Sequence, residues 1–261
     1  MSQVTFTGER LHAGSSLFGV DLARHRAPYV HALERARQAG GRLLDLGCGT
    51  GYGTAELARE LPGVVVGLDR VPPDAASRGS GARWVRADLR GIPLASDSFD
   101  LIVSFQVIEH LEDPRVYLEA IARLLAPGGS ALITTPNLLT SDKINPFHVH
   151  EYESDELRQC LLPWFGEVEM QGIGLSHNVA PYFEQRLERI EKIMRLDPLG
   201  LRELLPQGLV TWLFAKGALL VRRGIQESDT GMPDATIEDF PIGPAGPADI
   251  DLLAVCRKPV T

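Results

Sequence analysis

One short stretch limits what this chain can fold into. From Leu43 to Gly53 it reads LLDLGCGTGYG, an apolar run ending in Asp45 and Leu46, followed by glycine at alternate positions, Gly47, Gly49, Gly51 and Gly53. An apolar run bounded by glycine is expected to be a buried parallel strand, with the glycines forming the turn into the next helix. Glycine accepts positive φ in such a turn and removes side chains that would hold a ligand off the backbone. A large polar ligand is therefore expected here. The dinucleotide fingerprint G-x-G-x-x-G does not fit, because counted from Gly47 its third glycine falls on Tyr52.

Composition narrows the classes. A chain of 261 residues can bury the core of one elaborated α/β domain. Its 34 acidic against 26 basic residues give a net charge of −8 without a basic run, so nucleic acid is not an expected partner. The N-terminus, MSQVTFTGER, lacks the layout of a secretion signal. Runs of about 18 apolar residues are absent too, so no membrane partner is expected and a cytoplasmic location is. Cys48, Cys160 and Cys256, odd in number and scattered, fit reduced thiols.

The acidic residue two positions before G-x-G-x-G resembles motif I of the class I S-adenosylmethionine-dependent methyltransferases. Four later segments extend the resemblance: VVVGLD from Val64 to Asp69, the strand Arg83 to Ala87 closed by Asp88 and Leu89, ASDSFDLIVSFQVIEHL from Ala95 to Leu111, and LLAPGGSALITTPN. The third of these is similar to motif IV of the small-molecule methyltransferases. GERL near the start and NPFHVHEY, Asn145 to Tyr152, resemble a subgroup that often methylates sugar hydroxyls or other groups in polysaccharide and natural-product assembly. The resemblance covers roughly residues 8 to 175 and the final strand, Asp251 to Cys256.

It implies a Rossmann-like α/β fold with a seven-stranded sheet in the order 3-2-1-4-5-7-6, strand 7 antiparallel, and helices on both faces. It also implies S-adenosylmethionine as cofactor and a set of contacts. Asp45 would orient the methionine end, Gly47, Gly49 and Gly51 would clear its path, and Cys48 would be a small residue in that turn. Asp69 would accept the ribose hydroxyls, with Arg70 beside it. Asp88 would meet the adenine amino group, Leu89 would offer its N–H to a ring nitrogen, and Gln106 would lie near the sulfonium. An N-terminal helix, about Asp21 to Gln38, offers Arg24, His25 and Arg26 toward the methionine carboxylate, and Arg26 is the one chosen.

The loop after the fifth strand carries His148, His150 and Glu151. A neutral imidazole can take the proton from a hydroxyl as its oxygen attacks the methyl carbon, and His148 is placed ahead of His150 as that base. The same residues could ligate a metal, but Mg²⁺ prefers oxygen and no third acidic ligand is close in sequence, so no metal is expected. They could also be structural. His110 stands between a place near the substrate and a structural place at a helix start. The reaction expected is in-line displacement at the sulfonium methyl, with a small-molecule hydroxyl as favoured acceptor and nitrogen or carbon as alternatives. A nicotinamide-dependent oxidoreductase and a non-catalytic cofactor-binding protein are the rival classes.

One methyltransferase domain is expected over 1–261, divided into a cofactor-covering segment (1–41), a core (42–175), a helical substrate cap (176–249) and a final strand and tail (250–261). Within the core, a helix capped by Asp113 is expected to run to about Ala126, where Pro127, Gly128 and Gly129 stop it before a strand from Ser130 to Thr135. The cap is expected to hold helices around Tyr182 to Leu196 and Leu209 to Val221, then a mobile Pro/Gly/Asp-rich linker from Gly224 to Ala248. Trp212, Leu213, Phe214, Leu219 and Leu220 could line a pocket, pack as core or form a homodimer contact.

Overall fold

The structure, a computed structural model, describes residues 18–39, 41–195, 207–226 and 231–260. The expectation for GERL lies outside the described residues, as does the side chain of Trp212. The chain divides into two compact units. The larger comprises 25–141, 148–174 and 242–261; the smaller comprises 1–24, 142–147 and 175–241.

The larger unit contains the whole sheet. Its strands are β1 (Arg42–Leu46), β2 (Val64–Asp69), β3 (Arg83–Arg86), β4 (Phe99–Phe105), β5 (Leu125–Pro136), β6 (Glu167–Ile173), β7 (Ile242–Pro244) and β8 (Asp251–Arg257). Their order is β3-β2-β1-β4-β5-β8-β6-β7. The first five are parallel, and β8 runs antiparallel between β5 and β6. This is the expected order with one correction: the sheet has an eighth strand. β7 lies in the stretch read as linker and pairs with Gln171, Gly172 and Ile173 of β6. Glycine and proline in so short a segment conceal a strand, and an edge is where a sheet tolerates them.

Alternation along the strands builds two apolar layers, since successive side chains point to opposite faces. Leu44, Leu46, Val66, Leu68, Ile102, Ala131 and Ile133 meet Tyr117, Leu118, Ile121 and Leu124 of α4 (Arg115–Leu124). On the other face Leu43, Val65, Leu101, Val103, Phe105 and Leu132 meet Tyr29, Ala32 and Ala36 of α1 (Gly19–Ala39) and Leu57 of α2 (Tyr52–Glu60). The N-cap of α4 is Pro114 rather than Asp113, whose carboxylate instead receives the backbone and guanidinium N–H groups of Arg115. That helix ends at Leu124, and β5 starts at once, so Pro127-Gly128-Gly129 lies within a strand. The pairing of β4 with β5 shifts register between Phe99 and Leu101, and Gly128 has φ +76°. The glycines permit the irregularity that a local reading takes as a stop.

In the smaller unit, α6 (Ala180–Met194) and α7 (Gln207–Gln226) accompany a single turn of 3-10 helix, Ile237–Asp239. At its centre the Asp21 carboxylate receives Arg222 Nε and Nη2 at 3.0 and 2.9 Å. Arg186 Nη1 donates to the same carboxylate at 3.3 Å. Among the described residues, no helix is long and apolar enough to cross a membrane.

Candidate active site

The carboxyl ends of β1 and β4 adjoin at the place where the strand order reverses, which is where open α/β sheets bind ligands. The turn after β1 is anchored by its own backbone: Gly47 N and Cys48 N donate to Leu68 O at 2.8 and 3.2 Å. Gly47, Gly49 and Gly51 all have positive φ, +84°, +56° and +86°. The glycines nevertheless answer to different neighbours. A Cβ on Gly47 would come within 2.5 Å of Val107, one on Gly51 within 2.5 Å of Trp84, and one on Gly53 would overlap the Tyr29 ring. Only at Gly49, among these four, would a Cβ meet nothing within 4 Å of the described residues. Three make room for the protein's own side chains, and Gly49 faces open space.

Asp69, at the end of β2, lies beside that opening. Its carboxylate accepts Gly49 N at 2.8 Å and Val71 N at 2.9 Å, which ties the second strand end to the glycine turn. Asp45 sits on the face of β1 covered by α1 and α2, and it is buried. Thr54 Oγ1 donates to it at 2.6 Å, and the Tyr29 hydroxyl lies at 3.2 and 3.4 Å from its two oxygens. Burial raises its carboxyl to about 7, and the bonds from Thr54 and Tyr29 offset part of that rise. Burial also pushes the Cys48 thiol upward, with the charges of Asp45 and Asp69 adding to it, which does not favour a nucleophilic thiolate.

The remaining expected cofactor contacts are placed unevenly. Arg26 Nε bonds the Glu56 carboxylate at 3.0 Å, so its guanidinium is shared with α2. Arg70 is exposed, and its carbonyl accepts from Arg86. Asp88 forms a two-bond pair with Arg90, whose hydrogen bonds hold the carboxyl well below its usual range. Leu89 packs its side chain against the main core. Gln106, at φ +56° just past β4, extends Nε2 to Asp251 Oδ1 at 3.1 Å on β8.

A second cluster forms where the chain leaves β4. Val107 leads into a turn of 3-10 helix, Ile108–His110, and the loop after β5 is strapped to it by Val149 N and His150 N, which donate to Glu109 O at 2.7 and 3.1 Å. This brings the ring of His148 to 5.2 Å from that of His110, edge to face. His148 Nδ1 lies 2.6 Å from Glu151 Oε1, with both side chains largely buried. His150 turns elsewhere: Nε2 meets Glu156 Oε1 at 2.7 Å, half exposed, and its ring packs on Tyr152. The sequence expectation thereby divides, with His148 inside the cluster and His150 on its rim.

Glu109, which the sequence marks only as an acid within VIEHL, is wholly buried. Its Oε2 accepts from Thr135 Oγ1 at 3.2 Å, while Oε1 has no hydrogen-bond partner among the described residues. Burial lifts this carboxyl to about 7, against the lowering influence of His110 and His148. The available signal was an acid inside the apolar run VIEHL, but a helix start explains such an acid equally well.

Comparison with known proteins identifies the family. A family model for the methyltransferase domain matches residues 22–189. A protein of Mycolicibacterium smegmatis described as a probable S-adenosylmethionine-dependent methyltransferase is 36% identical over 186 residues, 67% of this chain and 70% of that protein. The ubiquinone biosynthesis O-methyltransferase of Cereibacter sphaeroides is 34% identical over 105 residues, 38% of this chain and 42% of that one. In structure, the chain shares its fold with a SAM-dependent methyltransferase of Thermotoga maritima described as a possible histamine N-methyltransferase, at a TM-score of 0.53 and 15% identity over 91% of each chain. The oxidoreductase alternative falls, and the chain belongs to the methyltransferase domain family as an S-adenosylmethionine-dependent methyltransferase.

Proposed function

We propose that this enzyme methylates a hydroxyl of a small-molecule acceptor, a sugar or natural-product intermediate, with His148 as proton acceptor. The observation that carries the proposal is the His148–Glu151 pair at 2.6 Å, set beside His110 at the carboxyl end of the central strands. A carboxylate on Nδ1 orients the ring and fixes its tautomer, so that the other nitrogen is the one to take a hydroxyl proton. His150 is the weaker candidate because its ring nitrogen is already paired with Glu156.

The cofactor supplies an electrophilic methyl group on a sulfonium, and the residues around Gly49 fit it. In the proposal Gly49 leaves room for the ligand, Asp69 accepts from the ribose hydroxyls, and Asp45 faces the positively charged methionine end. Gly47, Cys48 and Gly51 shape the turn. Asp88, Leu89, Arg70, Gln106 and Arg26 remain candidate contacts, and Asp88 and Arg26 would first loosen their pairs with Arg90 and Glu56. The chain aligns acceptor and methyl for in-line displacement, a contribution of positioning as much as of acid–base chemistry. Oxygen as the acceptor atom draws support from the O-methyltransferase relative, which matches 38% of this chain. A cytoplasmic homodimer without nucleic-acid or membrane partners completes the reading. The role of 176–249 as a substrate cap, with its linker mobile, rests on its position in the chain between the strands of the sheet.

Calorimetric titration with S-adenosylhomocysteine, against NAD as control, tests the cofactor site first. Asp69→Ala is expected to weaken homocysteine-compound binding at least about tenfold, near 1.4 kcal/mol. Unchanged affinity would remove Asp69 from the site. With an acceptor in hand, His148→Ala is expected to lower turnover by about 10²–10⁴, the usual contribution of a general base. Full turnover in both His148→Ala and His150→Ala would overturn the base assignment.

A further inference from the structure

We infer that Glu109, His110 and His148 form a binding site for one divalent transition-metal ion of the zinc class, with a coordination position open to the acceptor. Each of the three offers one ligand atom, and these atoms all lie within 4.8 Å of one another. Two imidazoles and one carboxylate are the donor set of open zinc centres, in which three protein ligands leave a position for water or substrate. Such mixed nitrogen and oxygen donors favour zinc, cobalt or nickel over Mg²⁺.

Two further observations point to a cation. Glu109 is fully buried, and its Oε1 accepts no hydrogen bond among the described residues. A buried carboxylate oxygen without a donor is costly, and a metal ion satisfies it directly. Glu151 also holds His148 Nδ1 at 2.6 Å, the carboxylate–histidine arrangement by which metal-ligating imidazoles are oriented. The two ligand-bearing segments are pinned together by the bonds from Val149 N and His150 N to Glu109 O. Only His148 of the three lies in the histidine-rich loop after β5. The other two ligands come from the end of β4.

This inference rests on the proposed hydroxyl methylation and changes the part His148 plays in the metal-loaded enzyme. The acceptor hydroxyl, coordinated at the open position, releases its proton to water, as metal-bound water does near neutral pH. Its oxygen then bonds to the methyl carbon while the carbon–sulfur bond breaks, leaving the electron pair on sulfur and turning the sulfonium into a thioether. Without metal, His148 acts as the imidazole base.

The test uses the full untagged chain, stripped with a chelator and dialysed against Zn²⁺, Co²⁺ or Mg²⁺, with metal content and the Co²⁺ visible spectrum as readouts. The expected result is one Zn²⁺ or Co²⁺ per chain, held at least about tenfold more tightly than Mg²⁺. His148→Ala and His110→Ala should abolish stoichiometric binding, Glu151→Gln should weaken it about 10–100-fold, and His150→Ala should leave it unchanged. Far-ultraviolet circular dichroism shows that each variant is folded; His110 is exposed, so its replacement places little demand on the core. No stoichiometric uptake by the wild type, or equal uptake by folded His148→Ala and His110→Ala, overturns the site. Titration of S-adenosylhomocysteine on the same samples separates the two readings. Cofactor binding without metal uptake leaves the methyltransferase site standing and removes the metal, and the converse result upholds the metal site and removes the cofactor contacts.

Discussion

Two buried aspartates, one in each unit, are compensated in opposite ways. Asp21 in the smaller unit has two arginines, and although burial alone would raise its carboxyl, Arg222 and Arg186 outweigh that and hold it at about 2. Asp45 in the larger unit has two hydroxyls, from Tyr29 and Thr54, and burial leaves it at about 7. Glu109 follows the second pattern, with a threonine hydroxyl on one oxygen and no hydrogen-bond partner for the other among the described residues. Where a buried charge serves folding, the chain brings the cation itself. Asp45 and Glu109 have hydroxyl donors instead, and burial lifts both carboxyls to about 7.

The largest expected effect falls on the compensated side. Asp21→Ala strands Arg222 in a buried setting, and urea denaturation should show a loss of about 3–5 kcal/mol. A loss below about 1 kcal/mol would mean that the ion pair is not what holds the smaller unit together. The pH dependence of stability should then separate the two aspartates. Asp45 has a folded value of about 7 against 3.8, so its contribution is present while it is protonated and is lost as pH rises from about 4 to 7. That window is worth up to about 4 kcal/mol, and Asp45→Asn should flatten it except for the part due to Glu109. Asp21 has a folded value of about 2, so its stabilisation is present above about 4 and is lost as pH falls toward 2, by about 2 kcal/mol. Parallel pH profiles in wild type and Asp45→Asn would break the contrast.

Smaller effects sharpen it. Gly49→Ala places a Cβ in open space at φ +56°, so the fold should lose only about 1–2 kcal/mol while cofactor affinity falls more than tenfold. If calorimetry finds the affinity intact, the opening beside Asp69 is not the ligand's path. The smallest change is expected at His150, half exposed and paired with Glu156. Thermal or urea unfolding of His150→Ala should shift by no more than about 1 kcal/mol, and a larger shift would place the pair among the structural contacts of the loop.

Much of the fold was legible because its signals are local. The apolar runs of β1, β2 and β4 alternate onto two faces, and glycine marks the turn that follows β1, so strand order and the place of the opening could be anticipated from the resemblance those segments carry. β7 was not legible: Ile242-Gly243-Pro244 has no strand signal of its own and becomes a strand only because β6 presents an edge to pair with. The helix before β5 was read too long for a related reason, since Pro127-Gly128-Gly129 looks like a stop yet is held in the sheet by β4.

The site shows the same division. By itself the sequence determined the class of fold, the glycine turn, the acid at the end of β2 and the histidine-rich loop, because residue type and spacing along one segment are enough to specify each. Only the tertiary structure decided which glycine faces open space, that His148 rather than His150 joins His110, and that Glu109 lies between them without a full set of hydrogen bonds. It also joined Asp21 to Arg222 across 201 positions. Spacing along the chain carries no record of such meetings; they arise when sheet pairing and helix packing bring distant segments to one place, where burial then sets the charge each group can carry.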